Sequence, residues 1–209
     1  MIESGTLQYQ QKVELGQFQV WSGPPGLSTL PLRVCQVHGT DIISTNSTLE
    51  CSAVKADGLI HFRDGTDNKG GPSLAIVTAD CLPILFWGTT GYGMLHAGWR
   101  GVAGGILLNP EITKLAPTNF VIGPHICQKC YQVAPDFINN FPNDRSFSRN
   151  NGQLFFSLQD EVKGQIQEQF PSAKVQSMNL CTFHDSKLHS YRRNKTDLRN
   201  WNVVVIDNL

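Results

Sequence analysis

The chain gathers its apolar residues into short runs bounded by glycine, proline and small polar residues. On that pattern residues 32–37, 58–62, 74–78, 84–87 and 92–95 read as strands, with residues 175–181 and 202–206 as two more. Residues 104–108 read as part of a short helix that Pro110 limits. A clearer helix is predicted over 157–170. There Leu158, Val162 and Ile166 share one face, Ser157-Leu-Gln-Asp160 supplies a cap-like start, and Pro171 stops it. The Asn-Lys-Gly-Gly-Pro-Ser stretch at 68–73 reads as a surface turn. Many strands irregularly interleaved with few helices predict an α+β fold, mixed β-sheet layers flanked by helices, in a single domain over residues 1–209.

Composition narrows the function classes. With 40% hydrophobic residues the 209-residue chain has the apolar surface for a core of its own. Lys plus Arg and Asp plus Glu both number 17, so the formal charge is zero. Neither the basic footprint of a nucleic-acid binder nor a polybasic membrane anchor is present. The apolar run 82–87 is far too short to span a bilayer, and the first residues lack the basic start and apolar run of a signal peptide. These features predict a cytoplasmic protein with small-molecule partners, no nucleic acid and no membrane, and they assign no oligomeric state. In a reducing compartment the six cysteines read as buried fillers, with one or two carrying chemistry.

Three short blocks bear chemistry. Gln36-Val-His-Gly-Thr40 places a histidine at a strand end before a flexible glycine. Thr78-Ala-Asp-Cys-Leu-Pro83 places a cysteine at the exit of an apolar run. Gly93-Met-Leu-His-Ala-Gly-Trp-Arg-Gly101 carries a histidine into a glycine-rich turn. His38, Cys81 and His96 delivered from separate elements form a donor set that Zn²⁺ prefers, and three ligands leave a fourth position open, as catalytic zinc requires. Against this, a single histidine or cysteine is more often a packing residue or a satisfied core group. Cys127-Gln-Lys-Cys130 is a redox pair or half of a zinc site completed by His184 and His189. With no second cysteine pair following, the spacing reads as coincidental. His61, His125, Cys35 and Cys51 read as structural.

The blocks that carry His38, Cys81 and His96, with Ile122-Gly-Pro-His, Cys130-Tyr-Gln-Val and the Cys181-Thr…His189-Ser-Tyr-Arg-Arg193 segment, together resemble the laccase-domain family. Members of that family were once called multicopper polyphenol oxidoreductases and more recently purine nucleoside phosphorylases. The likeness covers residues 35–60, 74–105, 121–133 and 180–193. It departs at the N-terminus, where the family usually has a longer region before the Val-His-Gly block. It departs again at Thr196-Asp-Leu-Arg199, where the family tends to have Thr-Gly-Arg.

The resemblance implies a laccase-domain-like fold, with Zn²⁺ held by His38, Cys81 and His96. It also implies cleavage of adenosine, inosine and methylthioadenosine by phosphate, with adenosine deamination alongside. For that chemistry Arg100, Arg192 and Arg193 are candidate anion clamps, because guanidinium matches phosphate bidentately. Arg100 and Arg192 can equally pair with Asp57, Asp80 or Asp185. Asp80 is read either as a carboxylate that orients a ligand histidine or shuttles a proton, or as a cap for the turn before Pro83. Trp99 is read as a purine-stacking ring or a core residue. Three further readings compete: a copper-dependent polyphenol oxidase, for which six histidines are few; a thiol hydrolase with Cys81 as nucleophile and His96 as base; and a metal-stabilised protein without catalysis.

Overall fold

The computed structural model describes residues 4–46, 51–63 and 70–207. It has three sheets. In the first, β1 (Thr6–Val13), β2 (Gly16–Ser22), β13 (Asn200–Ile206) and β5 (Leu74–Thr78) lie side by side in that order, all antiparallel. The second orders β12 (Lys174–Ser177), β8 (Pro117–Ile122), β6 (Leu82–Gly88), β7 (Gly91–Ala97), β4 (Gly58–Phe62) and β3 (Ile42–Ser44). Its outer pairs are parallel and its inner pairs antiparallel, so it is mixed. A small third sheet joins β10 (Phe147–Asn150), β11 (Gln153–Phe156) and β9 (Gln132–Val133).

The six-stranded sheet is the middle layer, and the period-two alternation of its strands divides two cores between its faces. Leu59, Leu85, Met94 and Val121 pack against Phe18, Leu74, Ile76 and Val204 of the four-stranded sheet. Their neighbours Ile60, Ile84, Phe86, Leu95 and Phe120 face the helical side, where α3 (Leu158–Gln169) contributes Leu158, Val162 and Ile166. Strands β6 and β7 are therefore buried on both faces, which explains their nearly continuous apolar runs. The α+β reading with mixed sheet layers and flanking helices holds.

Local expectations fared unevenly. Residues 58–62 and 74–78 form strands with the predicted bounds, and helix 157–170 is present with the Ser157 side chain accepting the Asp160 N–H. The predicted strand at 32–37 is not one. Leu32 bridges Leu74 and Cys35 bridges Lys55, two different partners, so no ladder continues. Pro110 does not end a helix but opens α2 (Pro110–Thr113), capped by the Asn109 side chain, because proline lacks only an N–H that the first helical position leaves unbonded anyway. A 3₁₀ turn, Ile106–Leu108, precedes it, following the short α1 (Trp99–Ala103). Residues 68 and 69 of the expected turn and the Cys51 side chain lie outside what is described. Among the described residues no helix is long and apolar enough to cross a membrane.

Candidate metal centre and its pocket

The three sequence-predicted ligands meet. His96 is buried near the end of β7. Cys81 lies in the link 79–81, where the chain passes from β5 in one sheet to β6 in the other. His38 stands in a bend with Gly39. One donor atom from each lies within 4.8 Å of the others, and the two histidine rings sit 4.7 Å apart at 67°.

One buried carboxylate organises this convergence. Asp57 accepts three successive backbone N–H groups, from Val37 at 3.2 Å, His38 at 2.9 Å and Gly39 at 2.6 Å. That grip holds His38 in the left-handed region at φ 60, which a residue with a Cβ seldom adopts. The same carboxylate lies 2.7 Å from His96 Nδ1. An ionised carboxylate only accepts, so Nδ1 donates and Nε2 is the ring nitrogen left for the cluster. Burial pushes the Cys81 thiol up and the His96 imidazolium down, but both effects are outweighed. The facing His38 and His96 rings bring Cys81 down to about 6. Asp57 and Cys81 bring His96 up to about 9.

The donor set fits a metal ion. Two imidazoles and a thiolate are the ligand types zinc takes, and three ligands leave room for a fourth. The glycine at 98 keeps the space between them clear: a Cβ there would stand 3.0 Å from His38 Nδ1 and 3.3 Å from Cys81 Sγ.

The cluster opens onto a cavity of about 600 Å³ whose wall includes Arg33, Arg100, Arg192, Arg199, Tyr131 and Asp80. Four arginines thus line a space in which Asp80 is the acid among the described lining residues. A profile of the multi-copper polyphenol oxidoreductase laccase family matches residues 26–207. The chain belongs to this family. A protein of Aquifex aeolicus named purine nucleoside phosphorylase is 34% identical in an alignment covering 66% of this chain and 68% of that one. A Haemophilus influenzae protein of the same name is 27% identical over 196 residues, covering 86% of this chain and 75% of the relative. The crystal structure of a Neisseria meningitidis protein matches with a TM-score of 0.72 at 25% identity, over 85% of this chain and 76% of that chain.

Around this laccase-family centre the other sequence candidates divide. Asp80 contacts neither histidine through a hydrogen bond. Its two oxygens accept from Thr182 Oγ1 and from the Arg192 N–H, both at 2.6 Å, so it fastens the 182–192 segment to the 79–81 link. The carboxylate that orients a histidine is Asp57 instead. Arg192 lines the cavity, donates to the Gln132 carbonyl at 2.9 Å and lies 5.2 Å from the Tyr131 ring centre. Arg100 is exposed and stacks 4.6 Å over Trp99. Among the described residues neither is in an ion pair with a carboxylate. Trp99 both lines the cavity and packs edge-on to Phe137 at 5.0 Å. Arg193 is absent from the cavity lining, and its guanidinium donates to the carbonyls of Thr182, Phe183, Asp185 and Leu188.

Sequence reasoning missed Arg33, Arg199 and Tyr131. Arg199 carried a signal, since it ends the segment that stands where the family tends to have Thr-Gly-Arg. Tyr131 follows the noted Cys-x-x-Cys. Burial above all, with the nearby Cys81, pushes its hydroxyl up to about 12, so it stays a hydrogen-bond donor at neutral pH. Arg33 had no local signal.

Proposed function

We propose that this cavity is the active site of a zinc-dependent purine nucleoside phosphorylase, with His38, Cys81 and His96 as the zinc ligands and Arg100 and Arg192 as phosphate-binding groups. The observation that carries the reading is the opening of a three-ligand His/Cys centre onto a cavity walled by four arginines. The names of the relatives supply the substrate class. A zinc ion held there supplies Lewis-acid polarisation.

The chain's own residues do the rest. The guanidinium groups hold phosphate with its oxygen toward C1′ of the ribose, converting a bimolecular encounter into a positioned one. Phosphate oxygen bonds to C1′ as the C1′–N9 bond breaks, and the electron pair leaves on the purine, which takes up a proton. Asp80 acts here by positioning: it ties Arg192 to the link that carries Cys81. Adenosine deamination, in which water replaces the C6 amino group and ammonia leaves, belongs to the same proposal.

A second reading has its own support. Cys81, His96 and Asp57 line up as a thiol, a base and an orienting carboxylate, the arrangement of a thiol hydrolase. That mechanism gives no task to His38, the second imidazole on the same sulfur, and metal ligation does.

The test uses protein purified without added metal, assayed for zinc and copper by elemental analysis and supplied with adenosine or inosine with and without phosphate. The expected result is zinc in the preparation and release of adenine or hypoxanthine only when phosphate is present. Cys81→Ser should lose that activity along with the metal from this centre. Activity that survives complete removal of metal by a chelator would favour the thiol reading. A zinc-loaded protein that leaves both nucleosides intact would overturn the assignment.

A further inference from the structure

A second group of metal-type ligands lies outside the cavity just described. Cys127, Cys130, Cys181 and His184 bring one donor atom each to within 4.8 Å of the others. Their order in the chain is two tight pairs, Cys127-Gln-Lys-Cys130 and Cys181-Thr-Phe-His184. Two Cys/His pairs of that spacing, from segments far apart in sequence, are the pattern of structural zinc sites. In the sequence the first pair reads as coincidental because no second cysteine pair follows it, and His184 with His189 is the pair weighed to complete it. In the fold His189 is elsewhere, with its N–H on the Asn200 side chain.

The distances lie within about half an ångström of those around a tetrahedral ion. With zinc–sulfur bonds of about 2.3 Å and zinc–nitrogen bonds of about 2.0 Å, neighbouring sulfurs stand about 3.8 Å apart and sulfur stands about 3.5 Å from nitrogen. Cys127 Sγ and Cys130 Sγ are 3.7 Å apart. His184 Nδ1 is 3.9 Å from each of them, and Nε2 is 3.1 Å from Cys130 Sγ. The backbone also favours a negative sulfur here, since the Cys127 N–H donates to Cys181 Sγ at 3.3 Å. Three sulfurs this close repel one another once ionised, and a divalent cation among them relieves that repulsion.

We propose that Cys127, Cys130, Cys181 and His184 form a second zinc site, closed by four protein ligands and structural in role. It staples the 123–131 segment to the 180–184 segment at a place where the backbone already pairs them. There His125 and Cys181 form a bridge, and the Thr182 N–H donates to the His125 carbonyl at 3.1 Å. The first segment continues into Tyr131 and the second into Arg192, both in the wall of the arginine-lined cavity. The site thus anchors that wall from behind.

The two centres separate cleanly in Cys81→Ser, which removes the sole thiolate of the first. Protein of this variant, purified under reducing conditions, should retain about one zinc per chain where the wild type holds two. Exchange of that zinc for cobalt should give strong thiolate-to-cobalt charge-transfer absorption, which the Cys130 variant assigns to the second cluster. Adding Cys130→Ser should abolish the band. The wild-type protein provides a check free of folding effects: intact mass under non-denaturing conditions should show two zinc ions, and the mass under denaturing conditions should show all cysteines reduced. A Cys81→Ser protein with no zinc and no thiolate–cobalt band would overturn the proposal. So would a Cys127–Cys130 disulfide in reduced preparations. Either result stands whether or not the first centre binds metal.

Discussion

At the scale of single residues, the first centre depends on one acid and one glycine that bind nothing themselves. Asp57 spends its carboxylate on three backbone N–H groups and the His96 ring, so it fixes both the bend that carries His38 and the tautomer of His96. Asp57→Asn keeps the shape but removes the charge and one acceptor. Metal affinity, measured by competition with a chromophoric chelator, should fall by roughly 10- to 100-fold. Gly98 has φ −73, open to any residue, so Gly98→Ala costs little backbone strain. Its methyl group would nonetheless stand 3.0 Å from His38 Nδ1. Zinc content should drop while the far-ultraviolet circular dichroism spectrum stays that of the wild type; full zinc occupancy would show that the ligands give way. The sequence disclosed the three residues of the first cluster but not their support. His38, Cys81 and His96 each sit in a short distinctive block, whereas Asp57 lies 19 residues from His38 with no local pattern marking it. For the second cluster the sequence raised His184, beside His189, but not Cys181, whose closeness to Cys127 spans 54 residues and exists only in the fold.

At the scale of elements, a period is legible where burial is one-sided and misleading where the backbone has other partners. Helix α3 shows its apolar stripe because one face meets the core and the other meets solvent. Its start is fixed by Ser157, whose side chain accepts the Asp160 N–H at 3.2 Å. Ser157→Ala should lower the free energy of unfolding by about 1 kcal/mol, read from chemical denaturation with an unchanged m-value. The strand predicted at 32–37 failed because side chains take over the backbone's role there. The Gln36 amide donates to the Val77 carbonyl and accepts the Val77 N–H, both at 2.8 Å, imitating a strand partner on the edge of β5. Strand β2 was overlooked although Phe18 and Val20 alternate with glutamines and are wholly buried. Strand β1 offered less, being an edge strand of mostly polar residues.

At the scale of the whole molecule, the cavity lies at the seam between layers, and its chemistry comes from the chain crossing from one sheet to the other. Cys81 and Asp80 occupy the crossover from β5 to β6, His96 arrives on the neighbouring β7, and the arginines come from three separate stretches of chain. No local window of sequence contains two of the arginines that face across the space, apart from Arg192 and Arg199, so the positive wall is a product of topology. That wall makes a prediction independent of turnover. A ligand that binds only the folded protein stabilises it by RT ln(1 + [L]/Kd), about 2.7 kcal/mol at 100 times Kd. Phosphate should therefore raise the melting temperature at constant ionic strength, with chloride as the control. Arg192→Ala and Arg100→Ala should each reduce the shift, and the phosphate KM should rise by about tenfold if each loses about 1.4 kcal/mol of contact. Arg193→Ala should behave differently. Its guanidinium holds carbonyls of the 182–188 segment, so the protein should melt at a lower temperature without phosphate, yet keep a wild-type phosphate-induced shift. If Arg193→Ala instead abolished the shift while Arg192→Ala left it intact, the anion site would lie on the far side of that segment, away from the metal centre.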